Sequence, residues 1–123
     1  MYPFLESIRL QKGYSTPWED HQQRVDRTFR HFCAKSSLEL RSLLSGHNPT
    51  DERIYKVSVL YSLEGTASIR LQPYQTRSIR SIQLMPLPRV DYTFKFADRV
   101  WINDLVAEAG TDDILLEDRG YIR

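Results

Sequence analysis

The stretch Ile54–Tyr61 limits most sharply what this chain can become. Tyr55, Val57, Val59 and Tyr61 fall on one side of an extended backbone, and Ile54, Lys56, Ser58 and Leu60 on the other. An eight-residue run with this period is a strand. After a turn at residues 62–65, residues 67–72 return as its antiparallel partner until Pro73 ends the pairing. A third strand is expected over residues 77–84. An earlier one is expected over residues 4–10, where mixed alternation suggests burial on both faces, followed by a turn at Gln11-Lys12-Gly13.

Two capping patterns place helices between these strands. Thr16-Pro17-Trp18-Glu19 offers a hydroxyl cap, a proline at the first helical position and a glutamate at the third, which starts a helix near residue 17. Val25, Phe29 and Phe32 repeat at the helical period and are the expected core face, and Cys33 beside them is expected to be buried. His21, Arg24 and Thr28 line one flank, and Asp26, Arg27 and Arg30 face outward. Lys35-Ser36-Ser37 breaks this helix, and Ser36 with Glu39 forms a second capping box for a helix through Leu44. Gly46 is its expected left-handed cap.

Met85-Pro86-Leu87-Pro88 is the one stretch that reads as a boundary, because two prolines enforce an extended connector. The expected division is an N-terminal domain over residues 1–85, a linker over 86–91, and the incomplete start of a second domain over 92–123. Within the last part Ala97, Trp101, Leu105 and Ala109 repeat at helical spacing and Gly110 stops the helix. Residues 114–116 form a strand, Asp118-Arg119-Gly120 turns, and Tyr121-Ile122-Arg123 begins a returning arm. A half-made hairpin leaves ladder groups open. The expectation is a truncated polypeptide, or an oligomer that covers the edge.

Composition narrows the function classes. The formal charge is +1 and 13 of the 17 basic residues are arginine, dispersed among 16 acidic ones. General attraction to nucleic acid or acidic lipid is therefore not expected, whereas the guanidinium fork suits specific carboxylate or phosphate contacts. No apolar run approaches the ~20 residues of a membrane span, and MYPFLESIRL lacks a signal-peptide profile, so a cytoplasmic location is expected. A single cysteine excludes an internal disulfide and a multi-thiolate metal site.

Lys95 stands where an aromatic-rich run, Asp91-Tyr92-Thr93-Phe94-Lys95-Phe96-Ala97-Asp98-Arg99, passes into the last helix. Four segments in order resemble the fold-type IV, or class IV aminotransferase, pyridoxal-phosphate enzymes, which include branched-chain and D-amino-acid aminotransferases and 4-amino-4-deoxychorismate lyase. Phe4-Leu5-Glu6-Ser7-Ile8-Arg9 resembles the family's opening strand. His21-Gln22-Gln23-Arg24-Val25-Asp26-Arg27-Thr28 resembles its H-x-x-R-[LVM] helix segment. Tyr92-Thr93-Phe94-Lys95-Phe96-Ala97-Asp98-Arg99 resembles the segment carrying the Schiff-base lysine. Asp112-Asp113-Ile114-Leu115-Leu116 through Gly120-Tyr121-Ile122 resembles the strand and turn that precede its hydroxyl-rich motif. The match spans this chain but only about the first two-thirds of a compact family member.

The resemblance implies an α+β fold, an antiparallel sheet packed by helices, followed by the start of the cofactor domain. It implies pyridoxal 5'-phosphate as cofactor, with Lys95 binding it covalently and moving the substrate's alpha proton, and Arg24 clamping its phosphate. His21 reads as a packing or hydrogen-bonding residue, and Tyr92 either faces the site or packs. Arg70 and Arg77, near the strands, are candidates for a substrate carboxylate. A homodimer acting on a small amino or keto acid is implied as well. The family's acidic partner of the pyridine nitrogen and the rest of its phosphate cup fall after residue 123. Two readings therefore stand: a truncated aminotransferase or lyase, and a non-catalytic dimerising or regulatory remnant.

Overall fold

The computed structural model describes residues 2–11, 14–15 (backbone), 18–47, 49, 51–90 and 92–123. The expected turn at Lys12-Gly13, the cap at Thr16-Pro17, and Asn48 and Asp91 lie outside the described residues. Contacts divide the chain into two compact units: residues 1–75 with Phe94–Ala97, and Thr76–Thr93 with Asp98–Arg123.

The first unit is a four-stranded antiparallel sheet with helices on one face. Its strands are β1 (Phe4–Gln11), β2 (Tyr14–Ser15), β3 (Ile54–Tyr61) and β4 (Ala67–Pro73), in the order β2-β1-β3-β4. β3 has the bounds its alternation dictates and pairs with β1 along its whole length, Phe4 opposite Tyr61 and Gln11 opposite Ile54. β1 is not buried on both faces. Phe4, Glu6, Ile8 and Leu10 are buried, while Leu5 and Ser7 are half-buried and Arg9 is exposed, because helices cover one side only. Val57, Val59 and Tyr61 extend the covered face across β3.

Helix α1 (Trp18–His31) lays Val25, Thr28 and Phe29 on that face. Burying a side chain such as Val25 or Phe29 contributes about 1.5–3 kcal/mol. The helix stops in a Schellman motif. The Ala34 N–H donates to Phe29 O at 3.0 Å and the Cys33 N–H to Arg30 O at 3.1 Å, with Cys33 in the left-handed region at φ 52°. This geometry corrects two expectations: Cys33 is exposed, and Phe32 is 41% exposed where the helix unwinds. Helix α2 (Leu40–Leu44) begins later than expected, with Glu39 rather than Ser36 at its cap and no side-chain cap bond. Gln22 of α1 takes over that role, accepting from the Leu40 N–H and donating to Leu38 O, each at 2.8 Å. The helix leaves through Ser45 in right-handed geometry, and Gly46 is not among the left-handed residues.

The second unit holds β5 (Ile82–Pro86), α3 (Val100–Ala109), β6 (Asp113–Asp118) and β7 (Tyr121–Ile122). β5 pairs with β6 in parallel through the α3 crossover, and β7 returns antiparallel to β6. The strand expected over 77–84 starts only at Ile82, because the Arg80 and Ser81 N–H groups bond the Asp112 carboxylate at 2.8 and 3.2 Å instead of entering a ladder. Pro86, expected to open the connector, completes this strand together with Met85. Gly110 ends α3 at φ 68°, as its position foretold.

Candidate functional site

Glu6 is the residue around which the site is built. The strand period puts it between Phe4 and Ile8 on the covered face, and its side chain is 0% exposed. An ionised carboxylate there needs partners, and α1 supplies two. His21 and Arg24, three residues apart, stand on the same flank of the helix. Glu6 Oε2 lies 2.7 Å from His21 Nδ1, which must be the donor to an ionised carboxylate. Glu6 Oε1 lies 2.8 Å from Arg24 Nε. That second contact is an ion pair without an aligned hydrogen bond, so Oε1 is a buried acceptor on which no N–H is aimed. Thr28, one turn beyond Arg24, returns its hydroxyl to Arg24 O at 2.9 Å. Tyr61 closes the cluster. Burial pushes its phenol up; the Thr28 hydroxyl opposes this, the Glu6 charge adds to it and Arg24 again opposes.

Arg24 is half-buried, its Nε turned to Glu6. It borders an open depression of about 470 Å³ along α1, shared with Asp20, Gln23, Asp26, Arg27 and Arg30. Arg24 thus borders a solvent-accessible region that two further cations, Arg27 and Arg30, also line.

Lys95 reaches the first unit through the segment Phe94–Ala97. The Leu5 N–H donates to Lys95 O at 3.0 Å, the Ala97 N–H to Pro3 O at 2.8 Å, and Phe96 pairs with Phe4 as an isolated antiparallel bridge. The Phe96 N–H also bonds Phe94 O at 3.1 Å, which makes Lys95 the centre of a three-residue turn. Aromatic rings on either side anchor this turn. Phe96 stacks on Phe4 at 5.5 Å, and Phe94 packs against His31 at 4.6 Å and Phe32 at 5.4 Å. Phe94 belongs to the buried core of the first unit and Phe96 packs against it. Leu5 therefore holds Lys95 through the backbone, and the next residue, Glu6, holds Arg24 through the side chain.

The structure brings Lys95 and Arg24 to adjacent residues of β1 and adds His21 as a hydrogen-bonding partner of Glu6. Tyr92 packs edge-on against Trp101 at 5.4 Å. Arg77 is taken up by Asp113 at 3.1 Å, while Arg70 stands opposite Ser58 on the open face of the first sheet. Glu6 escaped sequence reasoning, although the signal was present: a glutamate in the apolar i, i+2 series Phe4, Glu6, Ile8, Leu10 demands a buried partner. Among the described residues no group of three or more His, Cys, Asp or Glu is placed to hold a metal ion. No described helix is long and apolar enough to cross a membrane.

This arrangement of β1, α1 and the lysine turn has the fold of the N-terminal part of class IV aminotransferase-like proteins. The chain superposes with a TM-score of 0.84 and 23% identity on the crystal structure of a Haemophilus somnus protein provisionally assigned as a 4-amino-4-deoxychorismate lyase, covering 99% of this chain and 66% of that one. A Mesorhizobium loti protein provisionally assigned as an amino-acid aminotransferase matches at TM-score 0.68 and 18% identity, over 99% of this chain and 65% of its own. In sequence, an uncharacterized protein of Haemophilus influenzae is 29% identical over 126 residues, 99% of this chain and 66% of the relative. The chain thus spans about two-thirds of the length of each of these proteins. No protein-family model matches it.

Proposed function

We propose that this chain supplies the lysine and the phosphate-binding arginine of a pyridoxal 5'-phosphate site, in an aminotransferase or an aminodeoxychorismate-lyase-like enzyme acting on a small amino or keto acid. The observation that carries this reading is the attachment of Lys95 and Arg24 to consecutive residues of one strand, Leu5 and Glu6. The donor set fits the cofactor: a half-buried primary amine for its aldehyde, and a guanidinium bordering an open depression for its phosphate dianion. When bound, the cofactor supplies an electron-withdrawing ring. Arg24 fixes the phosphate end, and Lys95 Nζ takes a proton from the substrate's alpha carbon and returns it. The turn at Lys95, pinned by Phe94 and Phe96, keeps the amine in register with β1 and limits the freedom lost when it reacts.

A cytoplasmic homodimer belongs to the same proposal. Ile82, Leu84, Leu115, Tyr121 and Ile122 of the second unit are 43–75% exposed, an apolar surface suited to association. Titration with pyridoxal 5'-phosphate tests the reading. Saturable binding that Lys95→Ala removes and Arg24→Gln weakens at least tenfold is expected. Binding unaffected by either substitution would overturn it, and Lys95-dependent binding without turnover of any amino acid would favour a non-catalytic, dimerising or regulatory role.

A further inference from the structure

Resting on the phosphate role of Arg24, we infer that Glu6 is the positioning residue that couples anion binding to the buried interior of the first unit. Glu6 Oε1 is fully buried and 2.8 Å from Arg24 Nε, yet no N–H is aimed at it. A buried acceptor left unmade is costly, and its partner is already within reach. A small rotation about the Arg24 side-chain torsions aligns Nε–H with Oε1. The guanidinium is planar, so fixing Nε fixes the direction of the two terminal nitrogens as well. An oxyanion gripped by those terminal nitrogens therefore selects the rotation that completes the Glu6 bond, and the completed bond favours the anion in return.

Two neighbouring contacts restrict that motion to the Arg24 side chain. His21 holds Oε2 at 2.7 Å and stops the carboxylate from turning to meet the arginine. The backbone of Arg24 is tied by the Thr28 hydroxyl at 2.9 Å, which confines movement to the side chain. Asp26 on the same helix is engaged by Gln22 at 2.8 Å rather than by Arg24. Among the described residues Glu6 is the only carboxylate in ion-pair contact with Arg24.

The experiment follows the Arg24 Nε–H signal by NMR in the full 123-residue chain, titrated with inorganic phosphate and separately with pyridoxal 5'-phosphate and pyridoxal. Phosphate is expected to move this signal downfield and slow its exchange with water in the wild type. Glu6→Gln, which keeps size and can still accept from His21, should abolish both changes. It should also weaken phosphate and pyridoxal 5'-phosphate at least tenfold, about 1.4 kcal/mol, while leaving pyridoxal unchanged. A purely structural role would weaken all three ligands together. Unchanged phosphate affinity in a folded Glu6→Gln protein overturns the inference. If that variant does not fold, a wild-type Nε–H signal that ignores phosphate overturns it equally. Failure of pyridoxal 5'-phosphate to depend on Lys95, with the phosphate response intact, would instead count against the cofactor reading alone.

Discussion

Replacing Arg24 by methionine keeps most of the aliphatic stem and removes the charge, which leaves the Glu6 carboxylate buried with only His21 beside it. The 2.8 Å separation gives a direct attraction of about 6 kcal/mol at an effective dielectric constant of about 20. Not all of it is lost. The Arg24 side chain is 35% exposed, so water already screens the pair, and water can enter the gap in the variant. Stranding a buried charge typically costs about 3–5 kcal/mol, and the exposure argues for the lower end, about 3 kcal/mol. With a urea slope of about 2 kcal/mol per molar, the unfolding midpoint should fall by about 1.5 M. Trp18 is a suitable probe because it lies in α1 under the Arg41 guanidinium, 5.6 Å from its ring centre, once Trp101→Phe has removed the second indole. The double variant Glu6→Leu with Arg24→Met removes the stranded charge and should recover about 1–2 kcal/mol relative to Arg24→Met alone. An Arg24→Met midpoint equal to wild type, or a double variant less stable than that single one, would refute the view that Glu6 is a buried anion neutralised by Arg24.

Cys33→Gly should stabilise the first unit by about 0.5–1 kcal/mol, because a left-handed φ of 52° strains a side-chain-bearing residue and not a glycine; thermal unfolding checks the direction. Asp112 links the second unit to pH. The Arg80 N–H bond, ahead of opposing desolvation and of the Ser81 N–H, holds its carboxyl below the usual carboxylate range. A depressed folded value contributes stability that is complete above the unfolded pKa of about 3.9 and lost as pH falls through the lower folded value. Acid unfolding followed at Trp101 should therefore be shallower in Asp112→Asn, and identical profiles would contradict the assignment.

β3 was readable because it obeys a period of two with one covered face, as its bounds show, whereas β1 was expected to be buried on both faces. Cap positions were less legible. Gln22, a residue of another helix, satisfies the start of α2, so the local Ser36-Glu39 pattern had no work left to do. The β5 boundary depended on Asp112, more than thirty residues away, capturing two backbone donors. Lys95 and Arg24 were found by the order of segments, but their relation was not. Only the bridge of Phe96 to Phe4 and the burial of Glu6 put them on neighbouring residues of β1, and both contacts join positions far apart in sequence.

Lys95 is the amine proposed to capture the cofactor. Incubation with pyridoxal 5'-phosphate, reduction with borohydride and peptide mapping by mass spectrometry tests it most directly. A single phosphopyridoxyl group on Lys95, slower to form in Arg24→Gln, is expected. Modification spread over Lys12, Lys35 and Lys56 with no preference for Lys95 would contradict it.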